Sequence, residues 1–149
     1  MNSKYVIIIL FLVVVFSCKN ESKKENDERI EIQEMSLIDN EQLKLNNGEK
    51  WIANNETHEG VKNMDSIIKA FKTAKIRDYG LLGGTLSLQT SYIIEQCDMK
   101  GEPHDQLHVV LVPMLDDIAV LKDADINKSK LALENLEGLI KIYFNHFKL

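Results

Sequence analysis

From position 57 onward, apolar residues return at every third or fourth place, the spacing that gathers side chains on one face of an α-helix. Val61, Met64, Ile68 and Phe71 make the first stripe, with Thr57 available as its N-cap. Asp78-Tyr79-Gly80 reads as a break. A second run, over about 81–97, places Leu82, Leu86, Gln89, Ile93 and Cys97 together. Gly83-Gly84 lies inside it, and each glycine costs about 1 kcal/mol against alanine, so an irregular first turn is expected. Residues 101–103 end that helix and start a third, with Pro103 suited to the first helical position. The third stripe is His104, Leu107, Leu111, Met114 and Ile118, flanked by His108 and Leu115, and Pro113 within it predicts a kink. After the polar stretch 122–129, where Asp125 and Asn127 can cap, Leu133, Leu136, Ile140, Tyr143 and Phe147 complete the pattern. The prediction is an all-α protein, an up-down antiparallel four-helix bundle over 57–149, long enough for one modest core.

Upstream the pattern changes twice. Residues 30–56 mix apolar and charged positions and include LKLNNGEKWIANN. There Leu43 and Leu45 alternate with polar neighbours, and Asn47-Gly48 is a turn signal ahead of Trp51-Ile52. A small hairpin or extended cap on the bundle is expected. Residues 19–29, KNESKKENDER, hold no apolar side chain, so 18–29 reads as a solvated tether.

The first residues, MNSKYVIIILFLVVVFSCKN, place Lys4 before an apolar run too short to span a bilayer but right for a signal peptide. Val15-Phe16-Ser17-Cys18 follows directly and resembles the lipobox of bacterial lipoproteins, with Phe16 standing where a small residue is usual. The resemblance implies a signal peptide over 1–17 and a lipidated Cys18 as the mature N-terminus. It also implies a site in the cell envelope, on the periplasmic face or outer membrane, with the membrane as partner through the lipid.

The formal net charge is −5, and loss of Lys4 would take it one unit lower, which argues against nucleic acid as a partner. Lipidation of Cys18 would also leave Cys97 with no disulfide partner in its own chain.

Cys97 opens the densest chemistry in the chain, CDMKGEPHDQLH at 97–108. In an up-down bundle, one end collects the start of the first helix, the end of the second, the start of the third and the end of the fourth. His58, Cys97, Met99, His104, His108 and His146 all belong to that end. His104 and His108 are four apart and share a helix face, with His104 on the stripe directed inward. Joined by Cys97 and by a thioether from Met64 or Met99, they would make an imidazole–sulfur site. That donor set suits copper, or zinc, and lacks the carboxylates that calcium or magnesium require. The plain alternative is that the histidines are polar helix-end residues and the methionines core packing. His146 near a helix C-terminus fits the dipole, and His58 reads as surface.

The segment LNNGEKWIANNETHEGVKNM together with CDMKGEPHDQLH resembles a group of small Bacteroidota lipoproteins that share a C-x-M-K-G-x-x-H-x-x-L-H element on a helical domain. That resemblance covers 45–149 and implies no activity. The architecture is also similar to periplasmic b-type cytochrome bundles, which implies Met64 and His146 as haem b ligands; a c-type attachment is excluded because C-x-x-C-H is missing. Three functions follow from these readings: an envelope metal-binding lipoprotein with a metal-handling or envelope protein partner, a haem-binding electron carrier, and a cofactor-free interaction module. No nucleophile elbow, H-E-x-x-H or P-loop supports an enzyme.

Overall fold

A computed structural model describes residues 43–123 and 125–149. Cys18, the expected signal peptide over 1–17, the expected tether over 18–29 and residues 30–42 lie outside the described residues.

Four helices carry the fold: α1 (Asn55–Thr73), α2 (Tyr79–Gln96), α3 (Glu102–Leu121) and α4 (Ile126–His146). Each begins where local chemistry ends the preceding segment. Asp78 accepts the Leu81 backbone N–H at the start of α2, and Asp125 accepts those of Asn127 and Lys128 at the start of α4. Gly101, at φ 66°, turns the chain into α3. Pro103 follows in the first turn, where no intrahelical donor is needed. Helix α3 then runs unbroken through Pro113.

The helices pack in ring order, α1 on α2, α2 on α3 and α3 on α4, with a thinner closing contact between α1 and α4. The architecture is the expected all-α four-helix bundle. Its core is one cluster in which Met64, Ile68, Leu86, Ile93, Met114, Ile118, Leu136 and Tyr143 are all buried.

Three local expectations need correction. Asn54, not Thr57, stands at the N-cap position of α1, and Thr57 is fully buried one turn inside it. On α2 the inward polar residue is Thr90, while Gln89 is half-buried. At the start of α3 the inward positions belong to Gln106, Leu107 and Val110, so His104 turns toward the rim and His108 to solvent.

Of the expected hairpin, the described residues show only the turn. Asn47 and Gly48 both take positive φ, 52° and 90°, inside a turn closed by the antiparallel Asn46–Glu49 bridge. The chain then leaves its own turn. Trp51–Ile52 forms strand β1 and pairs in parallel with β2, Phe147–Lys148, which follows α4 directly. The indole N–H of Trp51 donates to the Lys44 carbonyl at 2.6 Å, and the Lys44 N–H to Gln106 Oε1 at 2.6 Å. This segment therefore covers the end of the bundle where α1 starts, α2 ends, α3 starts and α4 ends.

Candidate functional site

That covered end contains the sequence-predicted ligands, and the structure sorts them into separate surroundings. His104 and His108 meet as expected from i,i+4 spacing, with ring centroids 4.4 Å apart. Cys97 is the C-cap residue of α2, half-buried and packed on the core, as is Met99. Among the described residues no group of three or more His, Cys, Asp or Glu is placed to hold a metal ion. Cys97 thus does not complete the histidine pair into a three-ligand shell. Met64 is fully buried within the core cluster. His146 is half-buried and spends Nδ1 on the Ile142 carbonyl at 2.8 Å.

His58, read as surface, is the histidine most integrated into the fold. Its Nδ1 lies 3.4 Å from the Tyr143 hydroxyl, and its ring meets Phe144 edge-on at 5.5 Å. Burial lowers its pKa from the ordinary 6.5, with Lys62 and Lys50 acting in the same sense against Glu59. Tyr143 in turn stacks on Phe147 at 4.9 Å. Burial, and secondarily Cys97 nearby, raises the Tyr143 phenol well above its usual range. These contacts join α1, α4 and β2 at positions far apart in sequence, which no reading of the linear pattern around His58 brings out. They make a structural lock among α1, α4 and β2.

The most unusual surface lies elsewhere. Residues 79–94 of α2 contain no charged side chain, in a chain that is 28% Asp, Glu, Lys and Arg. The outward stripe of this helix is Leu81, Leu88 and Tyr92, exposed to 70%, 72% and 41%. Gly84 and Thr85 lie between them. The two glycines of α2 have opposite surroundings. A Cβ on Gly83 would stand 2.9 Å from Lys122 Cγ, 3.0 Å from Leu121 Cβ and 3.2 Å from the Ile118 carbonyl oxygen, so a side chain there would crowd the end of α3. A Cβ on Gly84 would meet nothing within 4 Å among the described residues beyond its own helix backbone.

Beside this face runs an apolar groove of about 500 Å³ between α1 and α2, lined by Ile67, Ala70, Ala74, Leu81 and Leu82, with Ile76 at its lip. Ile76 is 87% exposed. Contiguous exposed apolar surface of this kind marks interaction sites on soluble folds. The signal was present in the sequence as the charge-free run 79–94, which stripe-finding passes over because it looks only for the buried face. None of the described helices is long and apolar enough to cross a membrane. No protein family, curated protein or solved structure matches the chain.

Proposed function

We propose that this chain is a lipid-anchored envelope protein whose four-helix bundle works as a docking module, engaging a protein partner through the outer face of α2 and the adjoining groove. The observation that carries the reading is the line Leu81–Leu88–Tyr92 on a helix with no charge over 79–94. Leaving such side chains in water forgoes about 1.5–3 kcal/mol per large aliphatic residue relative to burial. A partner recovers that burial. The case for the anchor is the N-terminal sequence: an apolar run ending at Ser17-Cys18, then a tether without apolar residues.

The test is a photo-crosslinking amino acid at position 88 of the full chain, expressed in a bacterial envelope, against the same group at exposed Lys141 on α4. Adducts from position 88 and none from position 141 are expected. Equal yields at both positions would reject the docking face.

A second reading rests on the His104–His108 pair, whose 4.4 Å ring separation suits one shared ion. Two imidazoles favour copper(II) or zinc held weakly, completed by water or by a partner's ligand. Titration of the protein with copper(II) and zinc, beside His104→Ala, tests it. Wild type and variant binding alike would remove this reading.

A further inference from the structure

We propose that the end of the bundle opposite the β1–β2 clasp is a second contact surface, which enters the headgroup layer of an anionic phospholipid membrane with Ile76 inserted between Lys75 and Arg77. The proposal takes from the envelope reading only the presence of a membrane, and it uses none of the line Leu81–Leu88–Tyr92.

Charge separates the two ends of the bundle. Residues 72–78 and 122–130 join α1 to α2 and α3 to α4 at the end away from the clasp. They carry six cations and three carboxylates, in a chain whose formal net charge is −5. At the clasped end, residues 44–58, 95–105 and 144–149 carry four cations and six carboxylates. Two of the three carboxylates at the basic end are engaged by backbone. Asp78 accepts the Leu81 N–H and Asp125 the Asn127 N–H, where the helix dipole already offsets a negative charge. Glu137 holds Lys72 at 2.7 Å. Lys75, Arg77, Lys122, Lys128 and Lys130 are all exposed. Arg77 and Lys130 line one groove, so the two links come together there. A bundle polarised in this way turns its basic end toward an anionic surface, and each Lys or Arg within a Debye length, about 8–10 Å, adds to the attraction.

Apolar exposure peaks at the same end. Ile76 is 87% exposed, the highest value for a large apolar side chain among the described residues. It lies in the five-residue link 74–78, with a cation on either side. Ile126, the first residue of α4, is 58% exposed. A soluble polyanion would be served by the charges alone. An apolar side chain at their centre selects a surface that is anionic outside and apolar beneath, since interfacial binding adds buried apolar area to electrostatic attraction. The long stems of Lys75 and Arg77 let their charged heads stay with the phosphates while Ile76 lies deeper.

The experiment uses the full lipidated chain with Cys97→Ser, so that an added cysteine alone takes an environment-sensitive dye. The dye is placed at Ile76→Cys, Ile126→Cys or Lys141→Cys. Each chain is reconstituted in vesicles of phosphatidylcholine, with or without phosphatidylglycerol, that carry nitroxide-labelled lipid. In the anionic vesicles the nitroxide should quench the dye at 76 about fivefold more than the dye at 141, with emission shifted to shorter wavelength. Phosphatidylcholine alone should remove that excess. Lys75→Glu with Arg77→Glu should remove it as well, with the helical circular dichroism unchanged, whereas Lys100→Glu at the clasped end should leave it in place. With the dye at 126, Ile76→Glu should lower the quenching to the level of position 141. Equal quenching at 76 and 141, or an excess that survives on phosphatidylcholine or in the charge-reversed chain, overturns the proposal. A shorter-wavelength emission at 76 without nitroxide quenching also overturns it, because protein and not lipid then covers the residue. The anchor reading fails separately: a chain with no added cysteine that still takes the dye has a free Cys18.

Discussion

Gly83 and Gly84 are neighbours with opposite demands. The helix propensity of both favours alanine by about 1 kcal/mol, so the sign of a substitution is decided by what the new methyl meets. Gly83→Ala drives it toward the α3 backbone and should destabilise by about 1–3 kcal/mol. Gly84→Ala enters open space and should stabilise the isolated bundle by up to about 1 kcal/mol. Urea melts of the two variants give the comparison directly, and equal effects would mean that α2 and α3 are not packed as described. His58 makes a second prediction. Its folded pKa lies below the ordinary 6.5, so the unfolded chain binds the proton more readily. Its share of stability is complete above pH 6.5 and falls as pH drops through 6.5 toward the folded value. His58→Gln should flatten the slope of stability between pH 7.5 and 5; an unchanged slope would remove His58 as its source. Both predictions concern contacts between distant elements, which explains how unevenly the site could be read in sequence. The pairing of His104 with His108 was legible because i,i+4 neighbours are local. The inward direction expected of His104 is not observed, because a helix face two or three residues wide tolerates a small rotation, and Gln106, Leu107 and Val110 take the inward positions.

At the level of elements, the bundle was written plainly in the sequence. Leu133, Leu136, Ile140, Tyr143 and Phe147 are all buried, as their spacing required, and the breaks at residues 78–80 and 101–103 fall where helices end and begin. Phe71 is the exception on its stripe: half-buried, it closes edge-on over Tyr79 at 5.0 Å. The clasp of β1 and β2 was not legible. Two-residue strands have no period to detect, and the partner of Trp51 lies at the other end of the fold. Its contribution is testable through the single tryptophan. Phe147 is 1% exposed, stacks on Tyr143 and holds the register opposite Trp51. Phe147→Ala should destabilise by about 3–5 kcal/mol and shift Trp51 emission to longer wavelength as β1 loosens. A variant with native emission would show that β1 holds its place without β2.

On the scale of the whole molecule, attachment and packing are assigned to different parts of the chain. In the function proposed above, the anchor is Cys18 and the docking face is α2. Cys18→Ser should therefore move the protein out of the membrane fraction, or leave it unprocessed, without altering the melting of the bundle. An unchanged membrane fraction would refute the lipid anchor, and a lowered melting temperature would refute the separation of roles. The clasp also has a consequence in time. The Lys148–Glu49 ion pair beside it joins residues 99 positions apart, whereas each helix closes on neighbours four apart. Closing so long a loop in an unfolded chain costs about 2 kcal/mol more than closing one of ten residues. Two strands of two residues offer little against that, so the clasp is made by a bundle already assembled and is the first element to come undone. The Ala53 N–H, bound to the Lys148 carbonyl at 2.8 Å, should exchange with deuterium through local opening long before the central amides of α4. Exchange of both at one common rate would mean that the two ends of this chain and its core open only together.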